Sequence, residues 1–195
     1  MPCGGGLLRR EVLNRLLDVI EKEIVPLTEK GVAIGSKVFG AAVLRKEDLS
    51  LVLAETNHEA MSPLWHGEVW AIKMFYELQE HPAPDDCLFL STHQPCCMCA
   101  SALAWSGFRE ILYLFDYEST ETDFNIPHDR RMVRELFGCD VPRPKNAYFS
   151  WTSLTAEIEL LEPEAPERRR LSVLHAIYAR LSDVYQSGAK TMVLK

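Results

Sequence analysis

The chain has 195 residues, 47% of them hydrophobic and 25% charged, with a formal net charge of −7. That is the make-up of one globular domain with a real core; it has no membrane-length apolar run and no leading h-region of the signal-peptide kind, so a cytoplasmic protein is expected. The acidic balance argues against a polyanionic partner, and three of the six cysteines fall within four residues, which favours metal or redox chemistry over a disulfide framework.

Residues 1–6 (Met-Pro-Cys-Gly-Gly-Gly) read as an irregular start. From about Leu7 a helix is predicted, with Leu13, Leu16, Leu17, Ile20 and Ile24 as one apolar stripe for packing on a sheet. Pro26 marks a kink or stop, and Gly31 and Gly35 a turn. Val38–Leu44 is a continuous apolar run suited to a buried strand, followed by a hairpin turn at Lys46-Glu47-Asp48 and a second strand over Ser50–Ala54. A polar loop from Asn57 to Pro63 leads to a largely buried helix, Glu68–Leu78. After a loop at 81–86 come a short strand, Cys87–Leu90, and a helix with Pro95 in its first turn and small residues at Ala100, Ser101, Ala102 and Ala104. Gly107 ends that helix, and Ile111–Phe115 is a further strand. This order implies an α/β sandwich with parallel pairing in its second half.

Asp116–Asp129 lacks any period and reads as a functional loop, followed by a short helix at 130–136 and a break at Pro142-Arg143-Pro144. Leu154–Leu161 alternates as an edge strand does. Leu171, Leu174, Tyr178, Leu181 and Tyr185 recur at helical spacing, predicting a docked C-terminal helix over about 166–187 whose Arg168-Arg169-Arg170 is a solvated first turn.

Two stretches carry chemistry. His66-Gly67-Glu68 supplies an imidazole and a carboxylate two positions apart, and Pro95-Cys96-Cys97-Met98-Cys99 supplies two thiols on one face of a helix start, where free N–H groups favour thiolates. His66, Cys96 and Cys99 read as ligands of one zinc ion, with Glu68 as acid/base. Catalytic zinc keeps an open position for water, whereas structural zinc is closed by four protein ligands. His66 and Glu68 share a site only if His66 precedes the first regular turn of its helix. Cys97 is expected to face away from the metal, Cys3, Cys87 and Cys139 to be free thiols, and His93 to lie near the site. The two motifs match the zinc-deaminase signature H-x-E followed by P-C-x-x-C.

The segment from about Val38 to Phe115, some two-fifths of the chain, resembles the cytidine and deoxycytidylate deaminase superfamily, in the branch with guanine deaminases, fungal cytosine deaminase and bacterial tRNA adenosine deaminases. Phe39-Gly40-Ala41, Asn57, Met98 and Ala102-Leu103-Ala104-Trp105 add to the likeness. It implies a three-layer α/β/α sandwich with a mixed five-stranded sheet of the cytidine deaminase type and added N- and C-terminal helices. Residues 1–195 would form a single deaminase domain, with its core over about 7–162, assembled as a homodimer. Asn57 would contact the base, and Phe39, Trp105 and Phe124 are aromatic candidates for the substrate pocket. The sequence departs from the family pattern at Gly67, where Ala is usual, at Gln94, often Glu, and at Val38, often Pro. The expected function is zinc-dependent hydrolysis of an amino-heterocycle (a small nucleobase, nucleoside or related metabolite) to its oxo form, with release of ammonia. Adenosine in tRNA is the alternative substrate, and a structural-zinc binding module without catalysis the alternative of another class.

Overall fold

The computed structural model describes residues 8–188; the predicted irregular start and Cys3 lie outside them. Five strands, β1 (Gly40–Arg45), β2 (Leu51–Thr56), β3 (Cys87–His93), β4 (Glu110–Phe115) and β5 (Ser150–Ser153), form one sheet in the order β2-β1-β3-β4-β5. β1 is antiparallel to both β2 and β3, while β3–β4 and β4–β5 are parallel, so the sheet is mixed as the resemblance implied.

Side chains of a strand alternate between faces, and two cores follow from that alternation. Ala42, Leu44, Leu88, Leu90, Leu112 and Leu114 point to a core shared with α1 (Arg10–Val19), α2 (Val25–Ala33) and α8 (Pro166–Ser187). Ala41, Val43, Phe89 and Ile111 point the other way, onto Ala71 and Phe75 of α3 (Gly67–Glu77) and Ala100 and Leu103 of α4 (Cys97–Trp105). Helices thus cover both faces. α3 and α4 pack side by side on the second face, which brings their N-termini together.

The stripe Leu13, Leu16, Leu17, Ile20 and Ile24 is fully buried. Pro26 does not stop its helix. The missing N–H is absorbed by a π turn at Ile20–Ile24, closed by Val25 N–H on the Ile20 carbonyl, and α2 continues with Pro26 in its first turn and Gly31 inside it. Pro95 lies one residue ahead of the helix cap rather than in the first turn.

The largest departure is at 154–161. The edge strand is β5, and Leu154–Glu159 is a short helix, α7. Ser153 caps it, its Oγ accepting from Ala156 N–H at 3.2 Å, and Leu154 and Ile158 are buried one turn apart. Within the predicted 116–129 loop, Tyr117–Thr122 forms α5, capped by Asp116, and α6 runs His128–Phe137. α8 buries Leu174, Tyr178, Leu181 and Tyr185 as its period predicted. Its arginines are not all solvated: Arg170 pairs with Asp18 and Glu21, and Arg168 donates to the carbonyls of Glu159 and Leu161. Opposite them, Glu167 accepts from Arg10 and Asn14, so α8 is clamped onto α1.

Candidate metal centre and active site

His66 is the N-cap of α3, with extended backbone (φ −63°, ψ 155°), and Glu68 follows in the first turn. That meets the condition for the pair to share a site. Cys96 caps α4 and Cys99 sits one turn inside it. The Sγ atoms of Cys96 and Cys99 are 3.5 Å apart, and His66 Nδ1 lies 3.6 and 3.7 Å from them. A tetrahedral zinc with two thiolates and one imidazole requires about 3.8 Å between sulfurs and about 3.6 Å from sulfur to nitrogen. The donor set therefore fits zinc in both chemistry and spacing, and it is the one such group of His, Cys, Asp or Glu among the described residues. Cys97 is half-buried and outside it; His93 is buried, its Nδ1 3.0 Å from Thr92 Oγ1, and also outside it.

Glu68 is buried beside the ligands without belonging to them. Its Oε1 accepts from Ser91 Oγ at 3.1 Å, and Oε2 lies 3.4 Å from Cys99 Sγ. Burial, then the Cys96 thiolate, push this carboxyl above its ordinary range. A carboxyl next to the ligands and outside their set can take a proton and return it.

Behind His66 lies a layer that periodicity does not reveal. Glu59 is 5% exposed, and its Oε1 stands 3.8 Å from His66 Nε2. The same carboxylate accepts from Lys37 Nζ at 2.6 Å, Lys37 N–H at 2.8 Å and Asn57 Nδ2 at 3.1 Å. Burial alone would raise Glu59, but the charge and hydrogen bonds of Lys37 hold it below its ordinary range, as a carboxylate. A carboxylate behind a ligating imidazole fixes its orientation and tautomer.

Asn57 is buried with both ends of its amide in use, since its Oδ1 accepts from Gly67 N–H. It ties the loop to the start of α3. Gly67 itself is explained by packing: a Cβ there would stand 3.0 Å from Gly40 Cα and 3.2 Å from the Phe39 carbonyl oxygen. The tight approach of α3 to β1 leaves little room for the Ala usual at this position.

The aromatic candidates separate. Phe39 is buried at the site edge, its ring 6.4 Å from that of His66 and 4.7 Å, edge-on, from His93. Phe124 is buried among Phe115, His93, Tyr178 and His175, within an aromatic core cluster. Trp105 is not brought to the metal residues. It is 92% exposed at the far end of α4, about 13 Å along the helix from Cys96, and lines an outer groove with Cys97, Phe137 and Tyr148. Asp129, in the first turn of α6, was not singled out by spacing, yet it is 7% exposed and within electrostatic reach of His66, Glu68 and Cys96.

With the geometry in hand, comparison with known proteins is direct. Residues 20–115 match the zinc-binding region of cytidine and deoxycytidylate deaminases. The guanine deaminase of Bacillus subtilis (strain 168) is 28% identical over 108 residues, covering 53% of this chain and 68% of that protein. Among solved structures, a guanine deaminase from Nitrosomonas europaea superposes with a TM-score of 0.52 at 18% identity, over 90% of this chain and 98% of that one. The B. subtilis guanine deaminase structure gives 0.51 at 20% identity, over 95% and 98%. The structural likenesses establish the fold, and the sequence match over residues 20–115 establishes the zinc-binding region of cytidine and deoxycytidylate deaminases.

Proposed function

We propose that the protein is a zinc-dependent hydrolytic deaminase, converting the C–NH2 of a small heterocycle (a nucleobase, nucleoside or related metabolite) to C=O and releasing ammonia. One observation carries this reading: a three-ligand metal group and a buried carboxylate outside the ligand set meet at the paired N-termini of α3 and α4. Zinc held by His66, Cys96 and Cys99 supplies a Lewis acid that makes water nucleophilic at neutral pH. Glu68 accepts the proton that water gives up as its oxygen bonds to the ring carbon. The same carboxyl then delivers the proton to the amino nitrogen as the C–N bond breaks, so ammonia departs neutral. Ser91 holds Oε1 in place and leaves Oε2 on the metal side.

The similarity to a guanine deaminase over 108 residues supports a nucleobase-type substrate. Residues 8–188 work as one domain, the C-terminal helix being clamped to α1 through Glu167 and Arg170. We further infer a cytoplasmic homodimer. The unpaired Cys87 and Cys139 fit a reducing compartment, and the exposed Trp105 and Phe137 beside a groove of about 620 Å³ supply an apolar face for a second copy. Arg168 and Arg170 are engaged within the fold, which gives tRNA no encouragement. A closed structural zinc site would need a fourth ligand beyond the three found among the described residues.

The test is ammonia release by zinc-loaded protein across cytosine, guanine, adenine, their nucleosides, pterins, triazines and a tRNA anticodon stem. Turnover of a small heterocycle is expected, falling by about 10²- to 10⁴-fold in Glu68→Ala with zinc retained. Turnover of the RNA alone, or equal turnover by the variant, would overturn the reading.

A further inference from the structure

The three ligands are not held by the chain in the same way. Cys99 sits one turn inside α4, so the helix itself sets the direction in which its side chain leaves the backbone. His66 and Cys96 are N-caps with extended backbone, outside the regular turns that would set theirs. A ligand at a cap needs its orientation from elsewhere. Behind His66 that support is Glu59. For Cys96 it comes from α5.

Tyr117, the first residue of α5, is 2% exposed. Its O–H donates to the Pro95 carbonyl at 2.6 Å, and its N–H donates to Gln94 Oε1 at 3.3 Å. Gln94 N–H in turn donates to the Phe115 carbonyl at 2.7 Å. Pro95 has no N–H by which its segment could be anchored, so its carbonyl is the available handle. That carbonyl belongs to the planar peptide unit that ends at Cys96, and a bond to it holds the whole plane. On the other side, the Cys96 carbonyl accepts from Ala100 N–H at 2.8 Å. Both peptide planes that flank Cys96 are therefore held. Its Sγ stands 3.5 Å from Cys99 Sγ and 3.6 Å from His66 Nδ1.

The element that carries Tyr117 is itself fixed. Asp116 caps α5, its Oδ1 accepting from Ser119 N–H at 2.8 Å. Beyond the helix, the carbonyls of Phe124 and Asn125 accept from Ser182 Oγ and Gln186 Nε2 of α8. A buried tyrosine hydroxyl normally finds a partner, and here the partner is the peptide that carries a metal ligand.

We propose that Tyr117 is a positioning residue of the metal centre: its O–H, acting through the Pro95 carbonyl, holds the Cys96 sulfur in place for zinc. Tyr117 touches neither the metal nor the substrate. The proposal concerns metal binding and is independent of which heterocycle is turned over. A hydrogen bond that served only the fold would stabilise metal-free and zinc-loaded protein alike and leave zinc affinity unchanged. One that places a ligand for the ion raises that affinity.

The test is Tyr117→Phe in the full-length chain, which removes one oxygen and keeps the ring in the core. Tyr113→Phe, on β4 with its hydroxyl beside Ser153, is the control for losing a phenol O–H elsewhere. Zinc affinity, measured in competition with a chelator, is expected to fall about tenfold or more in Tyr117→Phe and to stay at the parent value in Tyr113→Phe. The thiolate-to-metal absorption bands of the cobalt-loaded protein should shift in Tyr117→Phe alone. Parental zinc affinity in Tyr117→Phe, or cobalt bands that superimpose on those of the parent, would overturn the proposal and leave Tyr117 a core residue. An equal loss of affinity in Tyr113→Phe would overturn it too, because any missing hydroxyl would then suffice. If the metal-free Tyr117→Phe protein does not fold, the rate of zinc release from loaded protein into excess chelator decides. Faster release than from the parent supports the proposal, and an equal rate refutes it.

Discussion

Behind His66 the chain surrounds Glu59 with donors, whereas on the α6 side it gives Asp129 none. Both acids are buried to nearly the same degree beside the same ligands, so burial alone does not distinguish their roles. Partners do. Glu59 is held by Lys37 and Asn57, and through Asn57 to the first peptide of α3, so it belongs to the frame that orients the imidazole. Asp129 has no such set of donors around it and feels chiefly its burial and the charge of Cys96. A metal site needs rigidity behind its ligands, and this fold supplies it from the segments that carry Lys37, Asn57 and Glu59.

The same chemical change, carboxylate to amide, should therefore cost more stability at Glu59 than at Asp129. Glu59→Gln is expected to have the larger effect on the metal. It leaves Lys37 buried and short of its counter-ion and frees the His66 ring, lowering zinc affinity by about 10- to 100-fold in competition with a chelator. An unchanged affinity would mean that the 3.8 Å approach of Glu59 to Nε2 has no orienting role. Asn57→Ala should have a smaller effect, mainly on the fold. Losing an acceptor for Gly67 N–H and a donor to Glu59 should cost about 1–3 kcal/mol in denaturant unfolding. If stability is instead unchanged while KM rises, Asn57 acts toward substrate and not toward the frame.

These two sides were not equally legible in the sequence. His66, Cys96 and Cys99 stand out because few functions need an imidazole and two thiols at that spacing, and helix geometry then places both sulfurs on one face. Lys37 and Glu59 are 22 residues apart, and charged residues default to solvent, so nothing local marks them as a buried pair. Asp129 sits where a loop was expected, because α6 starts at His128, two residues ahead of the helix expected from about residue 130. At 154–160, Leu154, Ala156, Ile158 and Leu160 alternate as a strand would, while Leu154 and Ile158 also satisfy a helical turn. Over so short a run both periods fit, and the Ser153 cap decides. Pro26 misled for another reason, since a π turn can accommodate a proline whose lost N–H would break a regular helix.

The central claim is that three protein ligands leave zinc one position free, and zinc K-edge X-ray absorption on the metal-loaded protein tests it most directly. The account predicts two sulfurs at about 2.3 Å and one imidazole nitrogen at about 2.0–2.1 Å, with the remaining position taken by a light, exchangeable oxygen ligand. A third sulfur or a second imidazole would close the shell, make the zinc structural, and contradict it.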